Sequence, residues 1–257
     1  MIVFRYDQTF DGFLTVIFET FRRRLRPDAL VGPEDQIPLL ALEVLELPTE
    51  AASAERVWKG LGKKLSGLAR RQVMYAWLTE GEGPLLALRY VLAVYSGVAE
   101  TNFGHPAVLA VRQAAQKIAQ AKERLLQFVR FQKTAEGLYF AAIVPDYNVL
   151  PLVLEHFADR FADQKWIIYD LKRGYGFACD QDGLREIDYY RPVDPASGRL
   201  AEADLAEDEM ILQQAWQTYY NSVNIPERAN LRQQLGYMPR RYWAYLTEKQ
   251  GIGEGDG

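Results

Sequence analysis

Arginines alternate with large aromatics towards the C-terminus of this chain. Trp216, Tyr219 and Tyr220 lead to Ile225, Arg228 and Arg232, and these to Met238, Pro239, Arg240, Arg241, Tyr242 and Trp243. Planar guanidinium groups match phosphate oxygens in pairs, and aromatic faces stack on nucleobases. Nucleic-acid or nucleotide binding is one reading of the pattern. The other is structural, because large aromatics fill cores and surface arginines pair with carboxylates. Asn224 and Pro226 predict a helix with Arg228 and Arg232 on one face and an end at Gly236; Pro239 can open a further turn.

A second constellation lies between residues 130 and 173, namely Arg130, Asp146, His156, Arg160, Asp170 and Arg173. His156 and Arg160 are four apart and share one helix flank. In a catalytic reading Asp146 or Asp170 is a general base beside His156, and Arg130, Arg160 and Arg173 clamp an anion. In a structural reading Asp146 caps a helix, Asp170 and Arg173 pair across a turn, and His156 borders the helix. A third group is basic alone: Arg56, Lys59, Lys63, Lys64, Arg70 and Arg71 occur between 56 and 79 with no acid among them. Lys63, Lys64, Arg70 and Arg71 are candidates for phosphate contacts, or for one solvated helix face.

Familiar catalytic signatures are missing. There is no Gly-x-Ser-x-Gly elbow, P-loop, dinucleotide-binding glycine triplet or His-Glu-x-x-His. Cys179 is the only cysteine, and His105 and His156 are the only histidines. No cysteine-ligated cluster or zinc site can be built from them, so neither a metal nor a cofactor is expected. A single cysteine also suits a reducing, cytoplasmic setting. No signal peptide is read at the N-terminus, and the apolar run Leu85–Val94 contains Arg89 and is too short to span a bilayer. No membrane partner is expected.

The chain has 257 residues, 49% of them hydrophobic, with a net charge of −4. Its pI near 5.4 excludes a uniformly basic nucleic-acid binder and leaves room for a local patch. Acids concentrate between 181 and 210, away from the basic runs at 56–79 and 101–133.

Periodicity then gives the elements that must position these groups. Ile2–Tyr6 reads as a strand, followed by a helix with the stripe Phe10, Phe13, Leu14, Ile17, Phe18 and Phe21, which Arg22–Arg24 and Pro27 end. Pro33 and Pro38 mark a loop before a strand at Leu42–Leu47. Three helical stretches occupy the middle, and Pro106 opens a long helix to about Gln127. Strands are predicted at Phe128–Thr134, Leu138–Val144, Trp166–Asp170, Tyr175–Cys179 and Leu184–Tyr189. Asp146 begins a helix between the second and third of them, bearing Leu150, Leu154, Phe157 and Phe161. Short turns at Ala135–Gly137, Lys172–Gly174 and Gln181–Gly183 give the fold class α+β: an antiparallel sheet of about five strands covered by a helix, with a helical subdomain. The expected organisation is a mainly helical region over 1–127, the sheet over 128–191, C-terminal helices over 202–248 packing on the rest, and a flexible tail at 249–257.

Taken in order, Tyr6-Asp7, Phe10–Phe13, Phe128–Phe131, Pro145-Asp146, His156-Phe157, Arg160-Phe161, Trp166–Asp170 with Arg173, Tyr220, Ile225, Arg228, Asn230, Met238-Pro239, Arg241–Trp243 and Glu248 resemble a bacterial family described as DNA metabolism proteins, built on a domain of unknown function. The resemblance spans nearly the whole chain. It implies a genomic tie to a radical-SAM protein of DNA modification or repair, and in some members fusion to a uracil-DNA-glycosylase-like domain. Where that pattern has a histidine before an arginine, this chain has Glu123 before Arg124, which weakens the case for acid–base catalysis on that helix.

Three functions compete. The first is a DNA modification or repair accessory that binds nucleic acid while a radical-SAM partner does the chemistry. The second is a nucleotide- or nucleic-acid-acting enzyme using Asp146, His156 and Asp170 with the arginine clamps. The third is an interaction module without DNA binding.

Overall fold

Val3 and Phe4, both fully buried, make Ile2–Arg5 (β1) the centre of a small sheet. The computed structural model describes residues 1–188, 193–225 and 230–249. It divides into two compact units, Met1–Gln120 and Ala121–Gly257. The division falls inside the long helix, a few residues before the expected boundary at 127.

In the first unit, β1 pairs in parallel with β2 (Ala29–Val31) on one side and β3 (Glu43–Glu46) on the other. Proline spacing gave no sign of β2, which is only three residues long. The crossover from β1 is α1 (Phe10–Arg23), and its N-cap Thr9 accepts a hydrogen bond from the Gly12 amide at 2.9 Å. Glu19, though buried, is held by Arg22 and Arg23 at 2.6 Å each, so those arginines serve an ion pair as well as the helix end. Helices α2 (Ala51–Lys64), α3 (Gly67–Trp77) and α4 (Gly83–Tyr95) and the first part of α5 (Pro106–Phe128) complete one apolar core around Phe13, Ile17, Leu61, Val73, Leu88 and Val91.

The second unit contains β4 (Gln132–Lys133), β5 (Tyr139–Ile143), β6 (Trp166–Asp170), β7 (Tyr175–Asp180) and β8 (Gly183–Ile187), hydrogen-bonded in that order. The fold is α+β, and the five-stranded sheet is mixed rather than antiparallel. β5 and β6 run parallel, with Ile143 opposite Asp170. The reason is the connection between them. A hairpin cannot return the chain to a parallel neighbour, whereas a crossover through a helix does. That crossover is a 3-10 turn at Leu150–Leu152 followed by α6 (Leu154–Arg160). Pro151 explains why no helix runs on from Asp146, since it has no amide to donate to the carbonyl four residues back; the chain makes a 3-10 turn with the proline in its first turn, and α6 starts after it. β4 is shorter than the strand expected at Phe128–Thr134, because α5 continues through Phe128 and the Val129 amide still bonds Leu125 O at 3.1 Å.

The face of the sheet bearing Trp166 and Ile168 packs on α6, where Phe157 meets the Trp166 ring edge-on at 6.3 Å. The other face gathers Phe140, Ala142, Ile167, Ala178 and Leu200. The segment before α7 (Glu209–Val223) covers the open edge of β4, with Ala206 N–H bonding Lys133 O at 2.9 Å and Thr134 bridging Leu205. A short α8 (Leu231–Tyr237) and 3-10 turns at Arg240–Tyr245 and Thr247–Lys249 follow. The expected tail beyond Lys249 lies outside the described residues. Among those residues no helix is long and apolar enough to cross a membrane.

Gly176 lies opposite Tyr169 in the antiparallel β6–β7 pair. A Cβ there would lie 2.6 Å from Ile168 O and 2.7 Å from the Tyr169 ring. Gly176→Ala should cost about 1–3 kcal/mol, the usual penalty of overpacking, read as a lower midpoint in urea unfolding.

Candidate nucleic-acid interface

The parallel pair β5–β6 ends at Ile143 and Asp170, and loops after such carboxyl ends are where open α/β sheets place ligands. Asp170 has no exposed surface. One carboxylate oxygen accepts the amides of Lys172 and Arg173 at 2.9 and 3.3 Å, and the other accepts Arg173 Nη1 at 2.8 Å. Burial raises the Asp170 pKa above the ordinary carboxylate range, with the Arg173 guanidinium opposing it. The turn Leu171–Gly174 is thus folded around the carboxylate, and Gly174 closes it at φ +71.

That turn presents cations to the neighbouring loop. Lys172 Nζ donates to Asp146 O at 2.9 Å, and Arg173 donates to Pro145 O and Asp146 O, each at 3.2 Å. From the C-terminal segment, Arg241 Nη2 reaches the Asp146 carboxylate at 2.7 Å, with both side chains 45% exposed. Asp146 therefore gathers Lys172, Arg173 and Arg241 in one place. The Arg241 guanidinium also lies 5.1 Å from the Tyr242 ring, which packs on Phe128 at 5.1 Å. Below the loop, Tyr175 donates its hydroxyl proton to Asn148, and burial pushes the phenol pKa up. Asp146 does not cap a helix; its main-chain oxygen accepts from Lys172 and Arg173, and its carboxylate holds Arg241.

Arg130 lies between α5 and β4, not on a strand, and is committed elsewhere. Its guanidinium grips Glu248, with Nη2 at 2.6 Å and Nε at 3.3 Å, while Trp216 Nε1 donates to the same carboxylate at 3.0 Å. Burial of Glu248 works to raise its pKa, but these hydrogen bonds outweigh it and hold the carboxyl below its ordinary value. Around this pair the aromatic faces are partly used internally. Lys249 Nζ lies 4.9 Å from both the Tyr220 and Trp243 rings, and Arg240 lies 5.9 Å from Trp243.

His156 and Arg160 are exposed on α6, where His156 meets Phe157 edge-on at 5.4 Å and Arg160 lies 5.9 Å from the Phe161 ring. Among the described residues no contact joins His156 to Asp146 or Asp170. Arg232 is exposed on α8, and Arg228 lies outside the described residues. In the first unit, Lys63, Lys64 and Arg71 are exposed around the corner between α2 and α3, whereas Arg70 stacks 4.6 Å over Trp58. Ser66 caps α3 there and donates to Glu100 at 2.6 Å, fixing the corner.

Sequence reasoning passed over Lys172 and the pairing role of Glu248. Lys172 stood in a turn motif beside Arg173, which was the available signal; nothing local linked Glu248 to Arg130.

The sequence model of DUF4130, a domain of unknown function, matches residues 82–248. No curated protein matches the chain. The whole Asp146 cluster falls inside the matched region, while Lys63, Lys64, Arg70 and Arg71 precede it.

Proposed function

We propose, for a chain that belongs to the DUF4130 family of domains of unknown function, that it binds nucleic acid through the loops at the carboxyl ends of β5 and β6 and acts as an accessory in DNA modification or repair. The observation that carries this reading is the convergence of Lys172, Arg173 and Arg241 on Asp146 within 3.2 Å. Arg241 is only surface-paired, and such a pair is worth about 0–1 kcal/mol, so a phosphate can displace the Asp146 carboxylate from it at little cost. Arg240, Arg160 and Arg232 lie on the same unit and can extend the contact along a strand. Lys63, Lys64 and Arg71 offer a second basic surface on the first unit.

The test is fluorescence anisotropy with labelled single-stranded and duplex DNA at 50 and 200 mM salt. Binding should weaken with salt, each neutralised phosphate contributing a slope of about 0.7 on single strands and 0.9 on duplex. The double variant K172A/R241A should bind about tenfold more weakly and lose roughly two contacts' worth of slope. No retention of either DNA at 50 mM salt would falsify the reading.

The enzymatic alternative is less favoured by this geometry, because Asp170 is enclosed and His156 stands apart from both carboxylates. A specific observation favours a second role alongside DNA binding. Ile211, Tyr219 and Val223 lie on one stripe of α7 and are 69%, 56% and 54% exposed. An apolar helix face of this kind suits docking by a protein partner, here the radical-SAM protein. Co-purification of the pair, abolished by Tyr219→Glu with DNA affinity unchanged, is the expected result.

A further inference from the structure

The first unit holds a cavity of about 540 Å³ between the segment that joins α1 to β2, helix α4 and the start of α5. That volume lies within the range of small-molecule sites, roughly 300–1,000 Å³. Its floor is apolar, from Leu85, Leu88, Leu92 and Ala110, which explains why α4 is apolar beyond its core-facing side. The polar groups on its wall divide sharply. Asp28 is already used, accepting the Ile2 amide at 2.7 Å, and Ser96 donates its hydroxyl to Ala93 O at 2.8 Å.

The remaining groups are donors. Arg26 and Arg89 line the cavity, and neither has a hydrogen-bond or ion-pair partner among the described residues. His105 accepts the Ala107 amide at Nδ1 at 3.2 Å, which leaves Nε2 as the N–H donor of the neutral ring. Two free guanidinium groups and an imidazole N–H above an aliphatic floor call for an anionic head on a compact apolar body.

We infer that this cavity binds a small amphipathic anion, a phosphate or carboxylate on an aryl or short alkyl group, with Arg26 and Arg89 holding the head. The site is independent of the DNA reading, since none of its residues belongs to the Asp146 cluster.

The test uses the full chain with phenyl phosphate, benzoate, octanoate and inorganic phosphate, followed by calorimetry and saturation-transfer NMR. At least one of the first three should bind with a Kd on the order of 1 mM or tighter, and inorganic phosphate more weakly than phenyl phosphate, because it leaves the floor uncovered. The preference between phosphate and carboxylate heads identifies the source of the ligand. R26A/R89A should weaken binding at least tenfold without changing the melting temperature, both residues being exposed. Ala93→Phe, which fills the cavity, should abolish binding while leaving the arginines in place. Absence of binding by all three organic anions, or binding indifferent to both variants, overturns the inference. DNA affinity should be unaltered in both variants, so failure here is distinguishable from failure of the nucleic-acid reading.

Discussion

Replacing Asp170 with alanine should lower the melting temperature by about 6–20 °C. The carboxylate is fully buried and receives Arg173 Nη1 together with two turn amides. Removing it takes from the Arg173 side chain, itself only 11% exposed, the buried carboxylate paired with it at 2.8 Å. Breaking a buried pair from one side costs about 3–5 kcal/mol, and a chain of this size loses roughly 2–4 °C per kcal/mol. Asp170→Asn should recover little of the loss. Its amide oxygen can still accept from the turn, but its NH2 group then faces the guanidinium, donor against donor. A catalytic base would behave differently, because the asparagine variant would keep its fold and lose only turnover. Differential scanning calorimetry of the two variants decides the matter. An asparagine variant as stable as the parent would remove Asp170 from the role of turn organiser and return it to the catalytic reading.

Much of this arrangement was legible before the fold was known, and the lapses have physical causes. The strands expected at Trp166–Asp170 and Tyr175–Cys179 follow from the glycine turns that bound them, and the second runs one residue further, to Asp180. The pairing of Asp170 with Arg173 followed from a three-residue spacing across a turn. Direction was not legible in the same way. Whether β5 and β6 run parallel depends on where the intervening crossover lies, and local propensity is blind to that. Asp146 shows the limit for side chains. A helix cap and an ion-pair acceptor use the same residue type, and the deciding partner, Arg241, lies far along the chain. β2 escaped notice because a three-residue strand has too little alternation to register.

Long-range pairing also decides which arginines are available to a ligand. Arg130, Arg160, Arg173 and Arg241 looked equivalent as residue types, yet only their partners tell them apart. Arg130 is locked to a buried carboxylate, Arg173 is bound to Asp170 and to two loop carbonyls, and Arg241 holds a half-exposed aspartate. A bound phosphate can compete for Arg241 without unfolding anything. It can compete for Arg130 only by stripping Glu248 of its counter-charge. The nucleic-acid contacts should therefore be strongest at Arg241 and Lys172 and negligible at Arg130.

Glu248→Ala should accordingly destabilise the second unit by about 2–3 kcal/mol while leaving the Asp146 cluster assembled. The figure is below that for Asp170 because Arg130 is 27% exposed and keeps bonds to Gln127 O and Val129 O at 2.9 and 3.1 Å. Acid should reveal the same pair. The folded carboxyl sits below its ordinary value of 4.5, so the unfolded chain binds the proton more tightly. The contribution is then complete above about pH 4.5 and disappears as pH falls through the folded value. In urea titrations the gap between parent and Glu248→Gln should hold constant from pH 8 to 6 and narrow towards pH 3. Asp170 has the opposite sign: its raised pKa favours the protonated form in the fold, so its own contribution declines as pH rises through the acid range. A gap at Glu248 that widened on acidification would show that the carboxylate is strained by burial rather than held by Arg130 and Trp216. The C-terminal turn would then need another anchor to α7.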